Sequence, residues 1–234
     1  LTRHSVSFSG GKDSTAMLLR MLELNMPVDQ ILFFDTGWEF PQLLEHVDKV
    51  ERYIGREITR LKYKQSFDHM LSEHIVNARN GEKKTGYGWA RPNSRWCTRL
   101  KLNMLKQKAQ GCLEYIGIAA DEAGRIESSA ELQRPNARYP LVDWGWTEAD
   151  CLACCYEKGF DWSGLYHHFK RVSCFCCPLQ RESELRALYL YYPKLWKRLE
   201  VMDARTRGTF KEDRSIESFR LQFEWEQLQI TFNF

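Results

Sequence analysis

No stretch of this sequence approaches the roughly eighteen consecutive apolar residues that a membrane-spanning helix needs, and none has the short apolar core of a secretory signal. A membrane partner is therefore not expected. Net charge is small as well. The formal net charge is only +3 over 234 residues, too little to make nucleic acid the default partner. Internal repeats and low-complexity linkers are missing, so the C-terminal part is expected to pack on the rest. Hydrophobic residues at 43% and charged residues at 28% are ordinary for a globular chain, long enough for one large domain or a domain with an appendage.

Cysteine, by contrast, is plentiful. Of eight cysteines, six (Cys151, Cys154, Cys155, Cys174, Cys176 and Cys177) fall in one short stretch. In a chain without an export signal such clustering reads as metal or redox chemistry before disulfides, and predicts a reducing cytoplasm. Cys151-x2-Cys154 and Cys174-x2-Cys177, with nineteen residues between the pairs, meet the spacing of a structural Zn²⁺ site. Cys155 and Cys176 are surplus to that pattern, and Cys177-Pro178 matches the Cys-Pro ending of iron–sulfur ligand runs, so a [4Fe–4S] cluster competes with zinc. Cys112, before a strand, reads as a plain buried thiol.

Up to Trp146 the chain alternates strand and helix patterns. Strands are expected at His4–Phe8, Gln30–Phe34, Glu57–Leu61 and Leu113–Ile118. Helices are expected at Ser14–Leu24, Phe40–Ile54, Ser66–Asn80 and near Cys97–Gln110. In Phe40–Ile54 the residues Leu43, Leu44, Val47, Val50 and Ile54 share one face, and Ser66 is a plausible N-cap. This order predicts an α/β fold: three αβα layers around a mostly parallel sheet, with ligands at the carboxyl ends of the strands. From Thr147 the texture turns helical, with Asp150 as capping partner to Thr147 and further helices near Glu182–Glu200 and Ser215–Gln229. The expected organisation is a nucleotide-binding α/β domain over 1–146 and a helical cysteine-rich region over 147–234.

The string "SFSGGKDS" sits between the first strand and the first helix. Gly10 and Gly11 let backbone N–H groups turn inward, and the helix N-terminus adds donors and partial positive charge. Lys12 with the hydroxyls of Ser9, Ser14 and Thr15 completes a phosphate cradle. Val6 stands where a Walker A loop carries its first glycine, and the dinucleotide fingerprint is also absent.

"SGGKDS" resembles the PP-loop of the ATP pyrophosphatases. Further segments are similar to the phosphoadenosine phosphosulfate (PAPS) reductase-like branch: "FFDTGWEFPQ" from Phe33, "RWCTRLKL" from Arg95, "IGIAADEAGR" from Ile116 and "PLVDW" from Pro140. The five segments are co-linear over about residues 4 to 146. The resemblance implies an adenine nucleotide alpha-hydrolase-like fold. It implies a nucleotide site of Ser7, Ser9, Gly10, Gly11, Lys12, Asp13, Ser14, Thr15, Asp35, Thr36, Gly37 and Gly117, with Lys12, Asp13, Asp35 and Arg125 as catalytic candidates. Asp13 and Asp35, at neighbouring strand ends, could position Mg²⁺ or a water. Arg95, Arg99, Lys101 and Arg125 could hold sulfate, phosphate or a second substrate. Tyr87, Trp89, Trp96, Trp144 and Trp146 either stack on a base or pack.

By the same resemblance Cys97 occupies a cluster-cysteine position. That gives a ligand set of Cys97, Cys155, Cys174 and Cys177, with Cys151, Cys154 and Cys176 as alternates. The resemblance further implies, for members with an intact loop, ATP rather than PAPS, cleaved between the α and β phosphates to activate an acceptor for sulfur transfer. Candidate partners are a nucleic-acid acceptor and a sulfur-donor protein. Two alternatives stand beside this. One is a PAPS or adenosine phosphosulfate reductase forming sulfite, although the reductases carry a reactive cysteine near a flexible C-terminus and here the last cysteine is Cys177. The other is a nucleotide-binding or sensing protein without turnover.

Overall fold

A computed structural model of the protein describes residues 2–77, 81–130 and 132–232. In chain order the first elements are β1 (Arg3–Ser7), α1 (Lys12–Glu23), β2 (Gln30–Asp35), α2 (Pro41–Ile54), β3 (Thr59–Lys62), α3 (Phe67–Ser72), β4 (Ile75–Asn77), β5 (Lys83–Thr85), α4 (Trp96–Lys108) and β6 (Cys112–Ile116). After a 3-10 turn at Ala120–Glu122 come α5 (Gly124–Glu127), β7 (Ala137–Arg138), α6 (Pro140–Asp143) and α7 (Glu148–Glu157). A second 3-10 turn, Trp162–His167, precedes α8 (Glu182–Tyr191), α9 (Pro193–Arg205) and α10 (Ile216–Phe232).

The chain forms two compact units. The first holds the chain up to Asp35, Glu39–Lys62 and Lys101–Ser173. Its five strands run in the order β3-β2-β1-β6-β7, and every pairing is parallel. Helices cover both faces of the sheet, the three-layer α/β arrangement that the β-α-β order predicts. The apolar runs of β1 and β2 are buried on both faces, as parallel strands must be: Val6, Ile31, Leu32, Phe33 and Phe34 are all nearly inaccessible. Ala16, Met17, Leu18 and Leu19 of α1 and Leu43, Val47 and Val50 of α2 complete this core, and each large side chain contributes about 1.5–3 kcal/mol by leaving water.

The second unit holds Thr36–Trp38, Tyr63–Leu100 and the chain from Cys174 onward. Its core is aromatic. Trp38 packs against Phe67 and Phe175, and Trp96 against Phe67 and Tyr87.

Three expectations need correction. The helix expected over Ser66–Asn80 ends at Ser72: Ser66 does cap it, its hydroxyl accepting from His69 N, but β-branched Ile75 and Val76 leave for an antiparallel pairing with β5. The end expected at Asn80 lies outside the described residues. The helix expected over Glu182–Glu200 is two helices, because Pro193 has no N–H to continue α8 and instead opens α9. The division expected after 146 is not where the units part. α7 packs along α1 within the first unit, with Cys151 and Cys155 buried.

Candidate functional site: a phosphate loop and a cysteine group

The loop from Ser9 to Gly11 joins β1 to α1, and two glycines set its shape. Gly10 takes φ +76°, and a Cβ there would come within 2.8 Å of Leu43 Cδ1. Gly117 follows β6, where a Cβ would lie 2.9 Å from both the N and Cα of Ser14. Only glycine lets the end of β6 approach the first turn of α1 so closely. Ser9 and Ser14 tie the loop internally. Ser14 Oγ accepts from Ser9 N at 3.1 Å, lies 2.9 Å from Ser9 Oγ, and donates to Gly11 O at 3.1 Å. Ser9 Oγ also accepts from Gly11 N at 3.3 Å.

Gly11, the N-cap of α1, offers no side chain to the first amides, which suits an anion. Thr15 is fully buried, with its Oγ1 3.0 Å from His46 Nε2. Burial, with Lys49 nearby, pushes His46 down to about 3, so its ring is neutral. It shares the buried face of α2 with Leu43, Val47 and Val50 and stacks on Trp162 at 4.1 Å.

Beside the loop lies a group of charges that the sequence did not assemble. Asp13, in the first turn of α1, shares a site with Glu122 and Glu148, whose carboxylate oxygens all lie within 4.8 Å of one another. Burial, with the charges of Glu148 and Glu122, raises Asp13 to about 6 against the pull of Lys12, and Asp13 Oδ1 is buried without a hydrogen-bond partner. Lys12, only 6% exposed, sends its ammonium to Glu148 at 3.2 Å and Asp13 at 3.6 Å. Glu148 is positioned from its own backbone, since its N–H donates to Asp121 Oδ1 at 3.0 Å as α7 begins.

Asp35 ends β2 and pairs with Lys62 Nζ at 3.0 Å, whereas the carboxylates gathered around Asp13 are Glu122 and Glu148. Arg125, exposed on α5, is ion-paired to Glu122, which also lies 3.9 Å from Arg171. Lys101 Nζ lies 6.0 Å from the Phe34 ring centroid. Ser7 closes β1, paired with Leu32 and Ile116.

The second unit holds the rest of the nominated residues. Thr36 Oγ1 accepts from Trp38 N at 3.2 Å, and Gly37 O accepts from Arg198 at 2.9 Å, whose guanidinium lies 3.9 Å from the Trp38 ring centroid. Arg95 and Arg99 are exposed at the start of α4. Cys97 lies in the first turn of α4, with its carbonyl accepting from Tyr63 OH at 2.8 Å. Its thiol is pushed up by burial, with Cys177 adding to the shift. Cys177 is pushed up by its hydrogen bond with Cys174 and by burial, against the nearby charge of Arg95. Cys177 thus lies within electrostatic reach of Cys97 and hydrogen-bonds with Cys174. Cys176, in the same loop, is buried.

Cys151, Cys154 and Cys155 belong to α7 in the first unit, where Cys155 Sγ donates to Lys12 O at 3.5 Å. The two Cys-x2-Cys pairs behind the zinc reading therefore fall in different units, as do Cys155 and the other three nominated ligands. Tyr87, Trp89 and Trp96 are packing residues, Trp96 donating to Gly88 O at 2.8 Å and Trp89 to Asp203 at 2.7 Å. No described helix is long and apolar enough to cross a membrane.

Glu122 and Glu148 were missed because neither belongs to the loop in sequence. In "ADEAGR" the resemblance marks the arginine, and nothing in the sequence around Thr147 singles out Glu148.

Among curated proteins, the chain is 30% identical over 216 residues to the uncharacterised protein MJ0066 of Methanocaldococcus jannaschii, covering 83% of this chain and 40% of that one. It is 24% identical to MJ0973 of the same organism, covering 96% of this chain and 52% of that one. It is also 24% identical to an uncharacterised 37.8 kDa protein of Escherichia phage 186, covering 82% of this chain and 72% of that one. The chain thus spans about half the length of the first two relatives. Among solved structures it resembles the U34-tRNA thiolase NcsA from Methanococcus maripaludis with its [4Fe-4S] cluster, at 13% identity and a TM-score of 0.46, covering 94% of this chain and 80% of that one. It also resembles a predicted subunit of tRNA methyltransferase from Methanocaldococcus jannaschii, at 15% identity and a TM-score of 0.36, covering 68% of this chain and 89% of that one. Likeness at these scores carries no function across. The phosphoadenosine phosphosulfate reductase domain, as a family, matches residues 3–180, three quarters of the chain. The chain belongs to the phosphoadenosine phosphosulfate reductase domain family.

Proposed function

We propose that this protein is a PP-loop enzyme that binds ATP with Mg²⁺, cleaves it between the α and β phosphates to activate an acceptor, and couples that activation to sulfur transfer. The observation that carries the reading is the joining of an intact glycine loop, whose N-cap Gly11 offers no side chain, to Lys12 and the trio Asp13, Glu122 and Glu148. Asp13, Glu122 and Glu148 bring three carboxylates to one place, and Asp13 Oδ1, buried with no hydrogen-bond partner and 3.6 Å from the Lys12 ammonium, is an oxygen of the kind Mg²⁺ takes. These carboxylates would hold Mg²⁺, which would supply positive charge to the phosphate oxygens, and the Lys12 ammonium, now on Glu148, is the chain's own cation for a phosphate. The amides at the start of α1 hold the phosphate chain, and Gly117 keeps that turn accessible. An acceptor oxygen then attacks the α-phosphorus, the bond to pyrophosphate breaks, and a sulfur nucleophile displaces AMP from the activated acceptor. A nucleic-acid base carbonyl is the acceptor class proposed, and a sulfur-donor protein the supplier.

Cys97, Cys174 and Cys177 are the residues that would hold a metal centre. Burial pushes the Cys97 thiol up with Cys177 adding to it, the Cys177 thiol is pushed up by Cys174 and by burial, and a cationic centre would relieve that cost. We propose [4Fe–4S] rather than zinc there, which when bound supplies a site for inorganic sulfur.

Anaerobically purified protein is expected to carry iron and acid-labile sulfide at about four each per chain. Cys97→Ala and Cys177→Ala should lose both, while Cys155→Ala keeps them. With acceptor present, ATP should yield AMP and pyrophosphate in equal amounts. Colourless protein holding one zinc would overturn the cluster, and thioredoxin-dependent sulfite from PAPS would overturn the reaction.

A further inference from the structure

We propose that Tyr166 is a phosphate-positioning residue, its phenol proton donated to an oxygen of the phosphate chain held at the start of α1. This rests on the nucleotide reading above and adds a contact from a part of the chain far from the glycine loop in sequence.

The Trp162–His167 turn reaches the loop at two points. Trp162 Nε1 donates to Gly10 O at 2.7 Å, and Tyr166 OH accepts from Lys12 N at 2.8 Å. The two bonds bracket Gly11, so this turn fixes the backbone of the cradle itself. It does so in an unfavourable conformation, with Trp162 and Ser163 both at φ +50° followed by Gly164 at +81°. Consecutive left-handed residues, one of them tryptophan, persist only where surrounding contacts over-determine them. Here the contacts are the burial of the indole, its stacking on His46 and its bond to Gly10 O. The phenol follows the indole, with its ring edge-on to Trp162 at 4.9 Å.

A hydroxyl has one proton to donate as well as lone pairs to accept with. The lone pair of Tyr166 is used by Lys12 N–H, and among the described residues no hydrogen bond is found for its own proton. Burial, above all, keeps that proton on the phenol. The oxygen stands 3.5 Å from where a Cβ on Gly11 would be, and the Lys12 ammonium lies 5.6 Å from the ring centroid. The phenol therefore stands at the first amide of α1, with the loop's cation beside its ring. An N–H to O–H to phosphate chain satisfies all three groups, because the amide that polarises the hydroxyl strengthens the bond it donates.

The test compares wild type with Tyr166→Phe, which keeps the ring and its packing. Thermal melting establishes that the variant is folded, and calorimetry measures Mg·ATP, inorganic pyrophosphate and adenosine. The expected result is a loss of about tenfold or more for ATP and pyrophosphate, the loss of one hydrogen bond to a charged group, with adenosine unchanged. A tyrosine difference spectrum on saturation with pyrophosphate should appear in wild type and vanish in the variant. Equal ATP affinity in the two proteins would overturn the role of Tyr166 and leave the nucleotide reading standing. A parallel fall for ATP and adenosine would make Tyr166 a structural latch and overturn it likewise. Wild type binding neither ATP nor pyrophosphate would overturn both.

Discussion

His46 shows how a side chain without chemistry of its own can set a chemical site. It is 3% exposed and neutral, and it fixes Thr15 one turn into α1 while giving Trp162 a surface to stack on. Its proton affinity makes this testable. The folded state holds His46 near 3 and the unfolded chain near 6.5, so the unfolded chain takes up a proton first as pH falls. The stability owed to the neutral ring is complete above about pH 6.5 and is lost as pH drops towards 3, at up to about 1.4 kcal/mol per unit. Denaturant melts across pH 7 to 4.5 should show that slope in wild type and a shallower one in His46→Gln; identical slopes would remove His46 from the account.

The residues of the loop were legible in sequence because Gly10, Gly11, Lys12 and Ser14 act through backbone geometry that contiguous positions set. His46, Glu122, Glu148 and Tyr166 were not, because each reaches the loop from another element. A histidine on an apolar helix face, or a glutamate after a capping threonine, carries no sign of what it meets.

Among the elements, α7 has the clearest assignment. Thr147 accepts from Asp150 N, and Asp150 accepts from Thr147 N at 2.8 Å, the reciprocal capping box that the Thr-x-x-Asp spacing predicts. The cap also aims Glu148, the next residue, at Lys12. Thr147→Ala should cost about 1 kcal/mol in chemical denaturation, and it should weaken Mg·ATP binding by more than that loss of stability alone accounts for. Unchanged nucleotide affinity in this variant would separate the cap from the site. The failures at this scale have definite causes. The pattern over Ser66–Asn80 is helical in composition, yet the strand β4 within it depends on finding β5, which a local pattern cannot show. Pro193 was a visible stop that the apolar periodicity on either side obscured.

Across the whole molecule, the parallel sheet was predictable because strands and helices alternate in the order a crossover connection needs. The division into units was not. Trp38, some 25 residues before Tyr63, belongs with it in the second unit, and α7 belongs with α1 in the first. Spacing pairs Cys151 and Cys154 with Cys174 and Cys177, whereas the first two belong to the first unit, and Cys97 shares the second unit with the latter pair. The central claim is that the loop and its three carboxylates form a Mg²⁺–nucleotide site, and calorimetric titration of Mg·ATP into wild type and Asp13→Ala tests it most directly. The account predicts one ATP per wild-type chain and at least a tenfold loss of affinity in a variant that melts as a folded protein. Equal affinity in the two folded proteins would contradict it.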